Sequence, residues 1–142
     1  MTQAPGRVLA LDLGERRTGV AISDSQRSMA LARPTFGGLM EQDLLVRQIV
    51  ECAEEERVTT LVVGLPRSLN GKESSRAGAT RRFVAQLAPS LPEVPIDLFD
   101  ERLTTVEASR SLHEAGLSAK SQKGLIDSQS AVILLEGWLA CQ

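Results

Sequence analysis

The sequence predicts a single α/β domain in which helices cover both faces of a mixed five-stranded sheet, with the first three strands antiparallel. Three observations lead to this prediction. Short apolar runs separated by hairpin-length connections come first in the chain. Helical patterns then alternate with β-branched runs, as in crossover units. The 142 residues have the length of one domain, 1–142, and contain no internal repeat or linker.

The first three predicted strands form a meander. The run VLALDL is apolar on both faces except for Asp12, which is typical of a central strand. A polar connection at 15–19 has hairpin length, and the third strand is expected to end before Pro34. The three segments are 8–13, 20–22 and 29–33.

Helices and strands alternate in the rest of the chain. Amphipathic and capped patterns predict four helices, and β-branched or apolar runs predict two strands. In chain order these are a helix at 41–57, a strand at 59–63, a helix at 74–88, a strand at 95–99, and helices at about 104–115 and 125–139. The apolar side of the second helix, with Ala79, Phe83 and Leu87, fits either an interface or the core. The crossovers are expected to be right-handed.

Composition removes several classes of function. The formal net charge of −2 gives no overall basicity, although a local basic face remains open. Three Phe, one Trp and no Tyr argue against a platform that stacks many bases. Cys52 and Cys141 lack metal-binding or redox spacing. No apolar run reaches membrane-spanning length and MTQAPGR lacks a signal-peptide core, so we expect a cytoplasmic protein with no membrane partner.

Carboxylates interrupt the apolar pattern at three separate places. Asp12 lies near the end of the first strand, and Gly14 would let a ligand approach it. Asp100 and Glu101 follow the last strand. The final helix has an acid on its otherwise apolar stripe, which comprises Asp127, Ala131, Leu134 and Trp138. Since burying an isolated carboxylate is costly, each of these acids needs a partner, a cation or a role.

Clustered acids favour a divalent metal site. If the first and fourth strands are neighbours, their carboxyl ends converge, and oxygen ligands without His or Cys suit Mg²⁺ or Mn²⁺. Two such ions ~4 Å apart can hold the attacking and leaving oxygens of a phosphodiester. The alternatives are structural: Asp12 could pair with Arg16 or Arg17 across the hairpin, and Asp127 could cap its helix.

Four motifs resemble a known family. They are D-L-G-x-x-x-T-G-V-A at 12–21, V-V-G-L-P at 62–66, D-E-R-L-T-T-V-E-A at 100–108 and I-D-S-Q-S-A-V-I-L-L from 126. Together they resemble the YqgF family, also called RuvX, of the ribonuclease H-like, RuvC-type nucleases. The resemblance implies a ribonuclease H-like fold and metal-dependent phosphodiester hydrolysis. Members of this family are described as Holliday junction resolvases, and some are linked to maturation of the 5′ end of small-subunit ribosomal RNA.

The resemblance also implies roles for individual residues. Asp12 would be the metal ligand of the first strand, Glu101 the second acid and Asp127 the helical acid, together binding two Mg²⁺ or Mn²⁺ ions. Asp100 would support this group without touching the ions, although the choice between Asp100 and Glu101 stays open. RuvC-type enzymes have an acid at the end of the fourth strand, where this chain has 64–66, Gly-Leu-Pro. Glu101, one strand over, would take its place.

The leading hypothesis is therefore an endonuclease that acts on structured nucleic acid. Basic residues near the predicted site are expected to bind phosphates, and these are Arg16, Arg17, Arg76 and Arg102. We favour maturation of the 5′ end of pre-16S rRNA, and a Holliday junction resolvase, which needs a two-fold homodimer, is the alternative. A non-catalytic nucleic-acid-binding factor is a further alternative. A nucleotide-binding kinase fragment is another, because D-x-G-x-x-x-T also resembles an actin-like phosphate hairpin.

Overall fold

The computed structural model describes residues 4–66, 74–100 and 128–142. The described strands are β1 Arg7–Asp12, β2 Arg17–Ser23, β3 Ala30–Gly37, β4 Val58–Leu65 and β5 Ile96–Asp100. The described α-helices are α1 Gln42–Glu55, α2 Ser75–Leu87 and α3 Gln129–Ala140, and short 3-10 turns span Leu39–Glu41 and Ala88–Ser90. The loop predicted at 67–72, the helix predicted at 104–115 and the linker that follows it lie outside the described residues.

The strands form one mixed sheet in the order β3-β2-β1-β4-β5. The pairs β1–β2 and β2–β3 are antiparallel, whereas β1–β4 and β4–β5 are parallel. The predicted five-stranded sheet with an antiparallel start is therefore confirmed. Strands β1, β4 and β5 run in the same direction, so their last residues lie at the same end of the sheet. We call this the carboxyl end; the last residues there are Asp12, Leu65 and Asp100. The opposite end, where β1, β4 and β5 begin, is the amino end.

Helices cover both faces of the sheet, as predicted. One face, which we call the two-helix face, packs against α1 and α2 through buried residues that include Leu9, Leu11, Val63, Leu45, Ile49, Phe83 and Leu87. The other, the α3 face, packs against the last helix through Val8, Ala10, Val62, Phe99, Ala131, Leu134 and Trp138. The stripe at Ala131, Leu134 and Trp138 thus faces the sheet as its spacing predicted. Phe83 and Leu87 belong to the core. Of the two alternatives for the apolar side of α2, core packing is therefore correct for these two side chains, and a protein interface is not.

Strand β3 continues past Pro34, contrary to the sequence prediction. Val20 faces Arg33 and Thr18 faces Phe36, so β3 has one more residue than β2 between these pairs. Pro34 lies in this bulge, on an edge strand, where its missing N–H breaks no necessary ladder bond. The strand can continue through proline because, in the described sheet, β3 is paired on one side only.

Helix α3 begins at Gln129, with Ser128 as its N-cap, rather than near residue 125. Residues 125–127, which were expected to form its first turn, lie outside the described part of the chain. The helix has 12 residues. None of the described helices, α3 included, is long and apolar enough to cross a membrane.

Candidate active site at the carboxyl end of the sheet

Asp12 is the last residue of β1 and is only partly exposed. Along the strand it continues the row of Val8 and Ala10, so its side chain belongs to the α3 face. Among the described residues, none forms a hydrogen bond or ion pair with its carboxylate. The structural alternative, in which Asp12 pairs with Arg16 or Arg17, is therefore not what the structure contains.

Glycines flank Asp12 on both neighbouring strands. Gly19 is its pairing partner on β2. On β4, Val63 faces Leu11, so Gly64 is the next position beside Asp12. Both glycines are buried, and neither places a side chain next to the carboxylate. We call Gly19 and Gly64 the glycine row. The sequence does not predict it, because Gly19 belongs to the predicted hairpin connection and Gly64 marks only a position where RuvC-type enzymes have an acid.

The turn between β1 and β2 is fixed by the segment before α1. The amides of Leu39 and Met40 donate to the carbonyls of Gly14 (2.8 Å) and Glu15 (2.9 Å). Gly38 is buried, and a Cβ at this position would overlap the backbone of Glu15 and Arg16. This contact holds the turn that directly follows Asp12, so the turn is part of the ordered framework of the site.

The predicted phosphate-binding arginines that are described lie at this end of the sheet. Arg16 and Arg17 are both exposed; Arg16 lies in the β1–β2 connection and Arg17 is the first residue of β2. Arg76 is exposed in the first turn of α2, the helix that follows β4. Ser74 caps this helix by accepting a hydrogen bond from the amide of Ala77 (3.3 Å). The arrangement is compatible with a path for phosphates across the carboxyl end.

Asp100 reaches the carboxyl end from the other face. It faces Leu65 of β4 at the end of β5. Leu98 packs on the two-helix face and Phe99 on the α3 face, so alternation puts Asp100 on the two-helix face, opposite to Asp12. Strands β1 and β5 are also two spacings apart, about 10 Å. Asp12 and Asp100 are thus poorly arranged to share one ion.

The remaining predicted site residues, Glu101, Arg102 and Asp127, lie outside the described residues. Their assignments stay predictions. Within 4–66, 74–100 and 128–142, no group of three or more His, Cys, Asp or Glu residues could hold a metal ion. Asp12 offers carboxylate oxygens, the donor type that divalent cations such as Mg²⁺ prefer, and no described group occupies them.

The described residues whose pKa values depart from the ordinary ones are not those of the candidate site. The hydroxyl of Ser28 and the amides of Ser28 and Met29 lower the pKa of Asp24 to about 2. Burial raises the pKa of the Cys52 thiol and that of the Glu136 carboxyl. Asp24 follows β2 at the amino end, so its low pKa reflects a folded loop rather than the candidate site.

Comparison with known proteins identifies the family. A family model described as RuvX, Holliday junction resolvase, matches residues 6–141. This chain belongs to the RuvX family. A relative from Roseiflexus sp. (strain RS-1) is 40% identical over 142 residues, which cover 100% of this chain and 99% of that protein. One from Anaeromyxobacter dehalogenans is 41% identical over 133 residues, with 94% and 96% covered. Both are named "Putative pre-16S rRNA nuclease".

Solved structures show the same fold. Thermus thermophilus RuvC in complex with a Holliday junction substrate matches with a TM-score of 0.64 at 12% identity, covering 95% of each chain. The yeast mitochondrial Holliday junction resolvase Ydc2 matches with a TM-score of 0.53 at 11% identity, covering 98% of this chain and 80% of that one. The predicted ribonuclease H-like, RuvC-type fold of this RuvX-family chain is therefore confirmed.

Proposed function

We propose that this chain is a divalent-metal-dependent endonuclease that cuts structured nucleic acid, and that its substrate is the 5′ region of the 16S rRNA precursor. The observation that carries the proposal is the carboxylate of Asp12. It is half-buried at the end of a central strand, has no partner among the described residues, and lies between two glycines. A group in this state is stabilised by a bound cation rather than by the fold.

The acids of the family motifs would hold the metal. Asp12, Glu101 and Asp127 are the proposed ligands of two Mg²⁺ or Mn²⁺ ions, and the opposite orientation of Asp100 supports choosing Glu101 over it. When bound, such ions make water a better nucleophile and neutralise the charge that develops on the leaving oxygen. Asp12 itself comes from a strand that is hydrogen-bonded on both sides, so its carboxylate is held before substrate arrives.

Other groups of the chain would bind and orient the nucleic acid. The guanidinium groups of Arg16, Arg17, Arg76 and Arg102 are proposed to contact phosphates, which positions the backbone without reading the bases. Gly19 and Gly64 would let a phosphodiester approach Asp12 closely. Specificity would come from the shape of the nucleic acid, because the chain has few aromatic side chains for stacking.

Two substrates have support. The names of the relatives favour precursor ribosomal RNA. The description of the family model and the RuvC complex favour a four-way DNA junction, which is our second candidate. A resolvase makes two symmetric cuts, so it would also require a two-fold homodimer.

Cleavage of both substrates in parallel tests the proposal. The wild type, Asp12→Asn and Glu56→Gln would be incubated with Mg²⁺ or Mn²⁺ and either an RNA spanning the 5′ region of the 16S precursor or a mobile four-way DNA junction. Glu56 is a matched carboxylate control, because it lies after α1 in ion pairs with Arg7 and Arg33. We expect the wild type and Glu56→Gln to cut the RNA, and Asp12→Asn to be inactive.

Each other outcome selects a different function. Paired symmetric nicks in the junction, with the RNA intact, would identify a resolvase. Equal cleavage by Asp12→Asn would refute the role of this carboxylate. Binding of nucleic acid without any cleavage by the wild type would favour the non-catalytic factor, and tight binding of ATP would favour the kinase-like alternative.

A further inference from the structure

Ser128 occupies the N-cap position of α3 but does not cap the helix. Its side chain makes no hydrogen bond to the amides of the first turn. Its hydroxyl instead accepts from the amide of Val20 (3.0 Å) and donates to the carbonyl of Arg33 (2.6 Å), and the residue is fully buried. By contrast, Ser74 at the start of α2 bonds its own helix. The hydroxyl of Ser128 is therefore part of the sheet.

The two bonds of Ser128 lie at the bulge between β2 and β3. Val20 and Arg33 are the last regularly facing pair before the extra residue of β3. Backbone groups at a bulge are partly released from the ladder and, when buried, need other partners. The hydroxyl supplies an acceptor to one strand and a donor to the other. It thus joins the amino end of α3 to β2 at Val20 and to β3 at Arg33.

The attachment point of Ser128 on the sheet lies close to Asp12. Val20 pairs with Leu11 of β1, and the next pair is Asp12 with Gly19. One hydrogen bond, one strand pairing and one residue step therefore connect Ser128 to the position of Asp12. Ser128 also directly follows Asp127, the acid expected to complete the metal site. The same residue is tied to one predicted ligand through the sheet and to another through the chain.

We propose that Ser128 is a positioning residue that holds the amino end of α3 beside the strand position of Asp12, and so sets the affinity of the proposed site for its divalent cation. The proposal rests on the proposed metal-dependent function. Without the hydroxyl, the amide of Val20 and the carbonyl of Arg33 lose a partner, and the amino end of α3 can shift along the sheet. Removal of groups that orient metal ligands typically weakens metal binding by about 10- to 100-fold.

The test compares Ser128→Ala with Trp138→Phe, a control on the far end of the same helix. Trp138 donates from Nε1 to Asp97 (2.7 Å), so its replacement also removes a partly buried hydrogen bond of α3 but leaves the amino end in place. Two quantities would be measured for each protein: the rise in Tm during a Mn²⁺ titration, and the Mn²⁺ concentration that gives half-maximal cleavage. The KM for nucleic acid would be determined at saturating Mn²⁺.

For Ser128→Ala we expect both Mn²⁺ midpoints to rise about ten-fold, with an unchanged KM, whereas Trp138→Phe keeps the wild-type midpoints despite a lower Tm. Equal midpoints in Ser128→Ala and the wild type would overturn the proposal, as would an equal rise in both variants. If Ser128→Ala does not fold at the assay temperature, Ser128→Cys, with similar size and weaker hydrogen bonds, replaces it with the same criteria.

Failure of the proposed function would look different. In that case the wild type itself would show neither a Mn²⁺-dependent rise in Tm nor Mn²⁺-dependent cleavage. The positioning role would then be refuted together with the metal site. A responsive wild type with an insensitive Ser128→Ala would refute the positioning role alone.

Discussion

The two ends of the sheet use charged residues in different ways. At the amino end, charges have partners: Glu56 binds Arg7 (2.6 Å) and Arg33 (2.8 Å), and Asp24 accepts from the amides of Ser28 and Met29. At the carboxyl end, Asp12 is half-buried and lacks a partner among the described residues.

Arg27 also belongs to the amino end, where it ties several elements together. Its guanidinium donates to the carbonyl of Gly6 (2.9 Å) and to Thr60 (3.1 Å), and lies 5.6 Å from the ring centre of Trp138. Polar contacts of this kind stabilise the fold, whereas an unpaired carboxylate in a partly buried position adds no such stabilisation. The comparison therefore supports the functional role proposed for Asp12.

The largest expected difference between the two ends is the effect of Asp12→Asn. Removal of a metal ligand is expected to lower kcat at least about 100-fold and to abolish the rise in Tm produced by Mn²⁺. Without metal, the variant should be at least as stable as the wild type, because an unpaired carboxylate contributes no favourable contact. Thermal unfolding with and without Mn²⁺ measures this. A clear loss of stability in the metal-free variant would mean that Asp12 is structural.

A smaller effect is expected from Gly64→Ala, which adds one methyl group beside Asp12. Activity should fall about ten-fold, because the methyl fills space that a phosphodiester needs. The free energy of unfolding should change by less than about 1 kcal/mol, since alanine adopts strand conformations readily. Steady-state kinetics and urea unfolding would give the two numbers. Full activity in Gly64→Ala would show that the glycine row is not part of the site.

Glu56→Gln should affect stability and leave activity unchanged. The side chains of Arg7 and Glu56 are 40% and 23% exposed, so the pair is partly screened by water. Loss of both ion pairs should reduce the free energy of unfolding by about 1 kcal/mol or less, and high salt should diminish the difference. Urea unfolding at low and high salt measures it. A salt-independent loss would indicate that packing, rather than charge, is responsible.

The smallest effect concerns the pH dependence contributed by Asp24. Its folded pKa of about 2 lies below the ordinary value of 3.8. A lowered folded pKa stabilises the fold above the unfolded pKa, and this contribution is lost as the pH falls from about 4 towards 2. The stability difference between the wild type and Asp24→Asn should therefore be constant at neutral pH and shrink in this range. Unfolding experiments between pH 6 and pH 2 test this, and a pH-independent difference would contradict the assignment.

Much of the fold was predictable because its signals are local. The meander, the alternation of helices and strands, and the inward stripe of α3 follow from periodicity that each segment has by itself. Pro34 misled the prediction because its effect depends on which side of the strand is paired. The ambiguity of Phe83 and Leu87 had the same origin, since an apolar helix face does not reveal whether a sheet or another chain covers it.

The candidate site was predictable in part. Asp12 is detectable because a carboxylate in a buried strand is unfavourable, whatever surrounds it. The glycine row is not detectable, because Gly19 and Gly64 become neighbours of Asp12 only through strand register. Ser128 escaped notice for the same reason, as its partners Val20 and Arg33 are 108 and 95 residues away in the sequence.

The bulge in β3 has a consequence for how the chain behaves at high concentration. β3 is an edge strand, and Met29 and Leu31 beside its start are 52% and 50% exposed. An edge of this kind can recruit strands from other molecules and start aggregation. Pro34 interrupts the row of free amides, and the extra residue twists the strand out of register with an incoming one. The bulge beside which Ser128 bonds β2 and β3 thus also hinders strands of other molecules from pairing with β3.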